Sequence, residues 1–369
     1  MKKILFCFGT RPETIKMAPI IHEAKNRGFE VSICITGQHK EMLIPFMDFF
    51  SLKESYSLNI MKERQSLAGM TASILNEMDN VLIDAKPDYV CVQGDTTSTF
   101  TCSLASFYRK VPVLHIEAGL RTNNIHSPFP EEVNRQMVST YAAFNFCPTG
   151  TSEKNLLAEN RSNVHVTGNT SIDALRMTIE KFKSEGTDYS NDSIFSNIDF
   201  SKKIVLATSH RRENHGKPLL DICEALSSIA NSEDCQIVYP VHLNPNVLDV
   251  VNKELGDVKN IFLIKPLQYD KFIWLMEKSH IILSDSGGVQ EEAPFLKKPV
   301  LVLRENTERP EVVESGAAKL VGTDKSLIIE NVSKCLHDQD FYNSFIIENN
   351  PYGDGHASKK IIDVLVKEN

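Results

Sequence analysis

The 369-residue sequence predicts an α/β protein built on parallel sheets, and three observations carry that expectation. Short apolar runs alternate with helical patterns from one end of the chain to the other. Many of these runs stop at a glycine or a polar residue just ahead of a helical pattern. The length is more than one ordinary core encloses, so two such domains are expected, with a cleft between them to hold an active site.

The runs lie at residues 4–8, 31–35, 89–92, 113–116 and 144–147, then at 204–207, 237–239, 261–264, 281–283 and 300–303. They are nearly continuous in Val, Ile, Leu, Phe and Cys, the pattern of strands covered on both faces. The first follows Lys2-Lys3 but stops at Gly9-Thr10-Arg11-Pro12. It reads as a first buried strand and not as a secretion signal, so a cytoplasmic protein is expected. The domain crossing is placed near Val166-Thr167-Gly168-Asn169, ahead of a helix beginning at Ser171. A second interruption, Asn349-Asn350-Pro351-Tyr352-Gly353-Asp354-Gly355, precedes an amphipathic pattern over 357–366 that returns to the first domain. The expected domains are therefore 1–168 with 356–369, and 169–355. Residues 181–202, rich in Ser, Asn, Asp and Gly, read as a surface excursion.

Hydrophobic residues make up 41% and charged residues 24%, as in an average soluble protein, and no apolar run is long enough to span a bilayer. The net charge of −8 argues against nucleic-acid and membrane-surface partners. An anionic ligand then requires a local basic cluster. Cys7, Cys34, Cys91, Cys102, Cys147, Cys223, Cys235 and Cys335 are scattered without CxxC spacing and read as reduced core residues.

The strongest local signal is Ser284-Asp285-Ser286-Gly287-Gly288-Val289-Gln290-Glu291-Glu292, directly after a strand. Two glycines let backbone amides approach a phosphate, and Glu292 stands one helical turn on, suited to a sugar diol. The competing reading is a plain helix cap by Ser286. Gly9-Thr10-Arg11-Pro12-Glu13, with Lys16 a turn later, offers a second anion site, against the alternative of a capped surface helix. No GxGxxG fingerprint is present, which weighs against a nicotinamide or flavin dinucleotide. Asp95, Glu117 and Glu131 fall at strand ends or in loops on the same side of the first sheet. Asp95 and Glu131 each have a structural alternative as helix-end charges, whereas a carboxylate ending an apolar strand, as Glu117 does, needs a partner if it is buried. Carboxylates that meet in one cleft can divide acid and base roles. His210-Arg211-Arg212 follows another strand and suits phosphate contact or proton transfer, and Arg309 follows a further one. His39, His115, His210 and His242 show no HExxH or Cys/His spacing, so no metal is expected.

Taken together, Gly9-Thr10-Arg11-Pro12-Glu13, Thr36-Gly37-Gln38-His39, Gly94-Asp95-Thr96-Thr97, His115-Ile116-Glu117-Ala118-Gly119-Leu120-Arg121-Thr122, Pro130-Glu131-Glu132, Gly168-Asn169-Thr170, His210-Arg211-Arg212-Glu213-Asn214, the Asp285 to Glu292 segment and Thr307-Glu308-Arg309-Pro310-Glu311 are a recognisable set. In order and over essentially its whole length, the chain resembles bacterial non-hydrolysing UDP-N-acetylglucosamine 2-epimerases. The resemblance implies two Rossmann-like domains of glycosyltransferase-B-like type, a homodimer, and interconversion of UDP-N-acetylglucosamine and UDP-N-acetylmannosamine with no redox cofactor and no catalytic metal. It implies Asp95, Glu117, Glu131 and His210 for chemistry. For the nucleotide it implies Arg11, Lys16, Ser286, Gly287, Gly288, Glu292 and Arg309, with Phe272 near the uracil. For a second, activating UDP-sugar it implies Gln38, Arg64 and His242, with Arg211 or Arg212.

Overall fold

The structure is a computed structural model that describes residues 1–37, 40–58, 60 and 66–368. Its strands, in chain order, are β1 (Lys3–Phe8), β2 (Glu30–Ile35), β3 (Tyr56–Ser57), β4 (Tyr89–Gln93), β5 (Val113–Ile116), β6 (Phe144–Cys147) and β7 (Val164–Val166), then β8 (Lys203–Thr208), β9 (Cys235–Pro240), β10 (Ile261–Ile264), β11 (Ile281–Ser284), β12 (Val300–Val302) and β13 (Ala318–Leu320). Each of the ten apolar runs is a strand. The strands outside those runs, β3, β7 and β13, have two or three residues each and lie at sheet edges, where burial on fewer sides leaves little periodicity to read.

The first sheet has the order β3-β2-β1-β4-β5-β6-β7 and the second β10-β9-β8-β11-β12-β13. Every recorded pairing is parallel; Leu5 faces Ser32 on one side and Val90 on the other, and Ile282 faces Leu206 and Val300. Winding in each sheet runs outward for three strands, then returns to the far side of the first. The switch falls between β1 and β4 in one sheet and between β8 and β11 in the other. At such a point the loops leaving the carboxyl ends diverge and open a crevice for a ligand.

The chain divides into two compact units, Met1–Ala174 with Tyr352–Asn369, and Leu175–Pro351. In the first, Phe6, Phe8 and Phe146 are fully buried. The helix Ala357–Lys367 completes that unit by packing on the helix Arg11–Asn26. Its Ile361, Ile362 and Leu365 are wholly buried, a contribution of roughly 1.5–3 kcal/mol each. Asp173 holds its start, accepting from the amides of Ala357 at 3.0 Å and Ser358 at 2.7 Å.

In the second unit Tyr239, Ile281 and Leu283 lie in the sheet core. The segment expected as a surface excursion is anchored instead. Phe195 is fully buried, its ring centroid 5.3 Å from that of Trp274, and Phe200 lies 4.9 Å from the same indole. Composition misled because two aromatics outweigh many polar neighbours in buried area. All eight cysteines are buried and none is in a disulfide. Among the described residues no helix is long and apolar enough to cross a membrane.

Candidate active site

In the first unit β1 hands over to the helix Arg11–Asn26 through Gly9 and Thr10, and β4 hands over through Gly94 and Asp95 to the helix Thr97–Tyr108. Because β1 and β4 pair, these loops are neighbours. A buried carboxylate, Glu13, ties them. It accepts from the amides of Gly9 at 2.9 Å and Thr10 at 2.7 Å, and from the hydroxyls of Thr96 at 2.7 Å and Thr99 at 3.0 Å. The first helix is therefore capped, as the alternative reading had it, and Arg11 stands exposed in its first turn.

Glu117 leaves β5 with φ of +60°, the left-handed region that side chains other than glycine rarely adopt. That backbone costs about 1–2 kcal/mol, and the carboxylate's partners hold it. Lys16 Nζ lies 2.6 Å from Oε1, Asn169 Nδ2 donates to the same oxygen at 3.0 Å, and Gln93 Nε2 donates to Oε2. Asp95 is paired with Arg135 at 2.5 Å. Burial raises the Asp95 carboxyl above its ordinary range; Arg135 opposes this, and the nearby Glu117 and Glu131 charges reinforce it.

Glu131 and Glu132 open the helix Glu131–Tyr141 but have different surroundings. Glu132 is fully buried and accepts from the amides of Thr122 and Asn123, both at 3.1 Å, so it fastens the preceding loop. Glu131 is half-buried and close enough for its charge to act on Asp95. His115, fully buried below this cluster with Nε2 2.8 Å from the Gly94 carbonyl, is pushed down to about 4 by burial and is neutral.

In the second unit the loops after β8 and β11 meet in the same way. Ser286 caps the six-residue helix Gly287–Glu292 by position only, with no side-chain bond to its first turn. The plain-cap reading therefore lacks its defining contact. First-turn amides have no acceptor inside the helix, and a helix this short adds little dipole, so an anion here would be held by the amides and by Arg309. Arg309 Nε donates to Glu291 at 2.8 Å, which lays the guanidinium over Gly287. A Cβ at Gly287 would stand 2.9 Å from Arg309 Cζ. Any side chain at Gly287 would have to displace the Arg309 guanidinium.

Asp285, fully buried, organises the facing loop. Its Oδ2 accepts from Ser209 Oγ, the amides of His210 and Arg211, all at 2.9 Å, and Asn214 Nδ2 at 3.0 Å. Its Oδ1 lies 3.1 Å from His210 Nδ1. Burial opposes its charge, yet His210 and the amides of Arg211 and His210 hold it down to about 2. His210 lines a cavity of about 210 Å³ with Thr208, Ser209, His242, Phe272 and Ser286 among its walls, and Pro266, Leu267 and Val289 make it largely apolar. The rings of His210 and His242 stack with centroids 5.7 Å apart. The basic residues beside it are balanced: Arg304 binds Glu213 at 2.5 Å and Glu308 at 2.5 Å, and Arg211 lies 3.5 Å from Glu308.

The structure thus gathers Asp95, Glu117 and Glu131 in one unit, and His210, His242, Phe272, Ser286, Gly287 and Arg309 in the other. Lys16, expected on the nucleotide, sits on Glu117. Arg212 is exposed in the turn Arg212–Asn214, Gly288 is exposed and Glu292 half-buried beside Gly287, while Gln38 and Arg64 lie outside the described residues. Sequence reasoning assigned no role to Gln93, Arg135, Asn169, Glu291 or Asp285. All but Arg309's partner Glu291 act across at least 24 residues, and only Asp285 had a local signal, as a carboxylate ending a buried strand.

Two Rossmann-like units, one with an acid cluster at its switch point and one with a glycine turn beside a largely apolar pocket, define the class: an α/β protein of glycosyltransferase-B-like fold. A family model described as UDP-N-acetylglucosamine 2-epimerase matches residues 22–366. UDP-N-acetylglucosamine 2-epimerases of Salmonella borreze and Escherichia coli K12 are 51% and 50% identical, covering 99% and 98% of this chain and 98% of each relative. The Neisseria meningitidis enzyme bound to UDP-GlcNAc superposes with a TM-score of 0.89 at 48% identity over 99% of this chain and all of that one. A Methanocaldococcus jannaschii enzyme in complex with UDP-GlcNAc and UDP gives 0.79 at 34% identity over the whole of both chains. The chain belongs to the UDP-N-acetylglucosamine 2-epimerase family.

Proposed function

We propose that the protein interconverts UDP-N-acetylglucosamine and UDP-N-acetylmannosamine without hydrolysis, and without a redox cofactor or catalytic metal. One observation supports this above the others: Asp95 and Glu117 follow neighbouring strands, Glu131 opens the next helix close enough for its charge to act on Asp95, and burial raises the Asp95 carboxyl above its ordinary range. The hydrogen on sugar carbon 2 has no adjacent carbonyl to acidify it. Breaking the bond from carbon 1 to UDP oxygen places positive charge at carbon 1, and carbon 2 then yields its proton. The C–H electron pair becomes the C1=C2 bond of a 2-acetamidoglucal, and the C–O pair leaves with UDP. Return requires a proton on the opposite face of carbon 2 and reattachment of UDP oxygen at carbon 1, so the net change is isomerisation.

In this reading Glu131 takes the proton, Asp95 supplies one from the other face, and the Glu117 anion stabilises charge at carbon 1. Arg11, Arg309, His210 and the amides of Gly287 and Gly288 receive the departing diphosphate. Phe272 packs on the uracil, and Glu292 holds the ribose hydroxyls. Gln38, Arg64, His242 and Arg211 or Arg212 bind a second UDP-N-acetylglucosamine as activator.

Incubation with UDP-N-acetylglucosamine in deuterated water is the test. Recovered UDP-sugars are expected to carry deuterium at carbon 2, and the initial rate is expected to rise sigmoidally with substrate. Stoichiometric free N-acetylmannosamine, or inversion with the original hydrogen retained, would overturn the chemistry. A hyperbolic rate would remove the activator.

The reading includes a homodimer. Phe107 and Tyr108 at the end of one helix and Val133 and Met137 on the next are exposed apolar residues, joined through the ring contact of Phe107 with Tyr141 at 5.2 Å. Phe107→Glu combined with Met137→Glu is expected to sediment as a monomer. An unchanged dimer would exclude this face.

A further inference from the structure

We infer that Asp285 is a positioning residue that fixes which nitrogen of His210 faces the ligand: Nδ1 carries its hydrogen toward Asp285, and Nε2 is the working nitrogen. The geometry is one-sided. Oδ2 of Asp285 is surrounded by four donors, Ser209 Oγ, the amides of His210 and Arg211, and Asn214 Nδ2, so the carboxylate cannot rotate without breaking all of them. Oδ1 is buried and makes no hydrogen bond of good geometry, and the nearest polar atom recorded to it is His210 Nδ1 at 3.1 Å. An ionised carboxylate only accepts, so the nitrogen facing it must be the one that donates. The carboxylate is fully buried and held well below the usual range, so it stays an acceptor throughout the neutral pH range.

The other groups around His210 leave this assignment standing. His242 stacks on the ring face, with centroids 5.7 Å apart, and its Nδ1 accepts from the Asn244 amide at 3.1 Å. Arg211 is drawn toward Glu308 at 3.5 Å, and Glu213 is bound to Arg304 at 2.5 Å. Nε2 is thus the nitrogen available to the cavity. A bare Nε2 that gains a proton becomes an imidazolium stabilised from behind by a buried anion, which suits a group that must meet the diphosphate as charge builds on it. This step rests on the role given to His210 above; the tautomer does not.

The same geometry makes Asp285→Asn diagnostic. The asparagine oxygen must occupy the four-donor side, which forces its NH2 toward His210 Nδ1. The histidine should then invert to the Nε2–H tautomer. Nitrogen-15 NMR of the ligand-free full-length protein, labelled at histidine and measured at about pH 8.5, above the ordinary imidazole range, reads this directly. His210 is assigned by comparison with His210→Gln. The wild type is expected to show Nδ1–H, Ser209→Ala the same, and Asp285→Asn the inverted form. In the exchange assay Asp285→Asn is expected to lose roughly 10²- to 10⁴-fold in kcat, with a smaller change in KM. An Nε2–H wild type, or one tautomer shared by wild type and Asp285→Asn, overturns the inference. If Asp285→Asn does not fold, the wild-type and Ser209→Ala spectra still decide it. Absence of carbon-2 exchange in the wild type would instead sink the epimerase reading while the NMR result stood.

Discussion

Glu117→Gln is expected to lower kcat by about 10³-fold while changing UDP affinity by no more than about threefold. The substitution preserves shape and an acceptor oxygen for Lys16 and Asn169, so the left-handed turn after β5 keeps most of its ties. It removes the negative charge. In the proposed chemistry that charge faces positive charge on the sugar ring, which exists only near the transition state, so the loss falls on kcat and not on ground-state binding. Lys16 and Glu117 are both largely buried, and a neutral partner leaves the ammonium poorly compensated. Some loss of thermal stability is therefore expected as well. Single-turnover kinetics at saturating substrate, paired with calorimetric UDP titration, separate the two effects. A kcat within about tenfold of the wild type would mean that Glu117 serves the fold and not the reaction.

Gly287→Ala is expected to weaken UDP binding by about 10²-fold, the scale of losing one or two charge-assisted hydrogen bonds. The added Cβ would meet Arg309 Cζ at 2.9 Å and Nη1 at 3.1 Å. Arg309 cannot simply yield, because its Nε is fixed to Glu291 at 2.8 Å. Either that ion pair breaks or the loop after β11 moves, and both withdraw donors from an anion. Gly288→Ala is the matched control, since a Cβ there comes no closer than 3.9 Å, to Ser286 Oγ. Its loss of UDP affinity, from crowding the ligand alone, is expected to be smaller by the same measure. Equal losses in the two variants would show that an added Cβ anywhere in this turn, and not the Arg309 contact, weakens UDP binding.

Both variants act on residues that stand out in the sequence, and the reason is local. A strand in a parallel sheet is an unbroken apolar run, so a polar residue at its end is conspicuous, and Glu117, His210 and the Ser286-Gly287-Gly288 turn all occupy such ends. The short edge strands had no such contrast. Lys16 lacks a local signal of its partner: a lysine one turn into a helix after a glycine turn looks like a phosphate ligand, and nothing nearby announces the carboxylate it binds, 101 residues later. Phe195 and Phe200 were hidden in the same way by a polar composition whose burial depends on the distant Trp274.

What the sequence determined by itself was the alternation of strand and helix, the expectation of parallel sheets, and the placing of polar side chains at the strand ends. These follow from backbone periodicity and turn stereochemistry, which act over a few residues. Tertiary structure alone decided the partners: β4 beside β1 and β11 beside β8, hence Glu13 tying two loops, Lys16 on Glu117, and Asp285 holding the loop of His210 from 75 residues away. Parallel strands are joined by long crossovers, so their order is selected by burial of whole faces and by the handedness of the connection. Only after that selection does a carboxylate acquire the neighbours that set its charge.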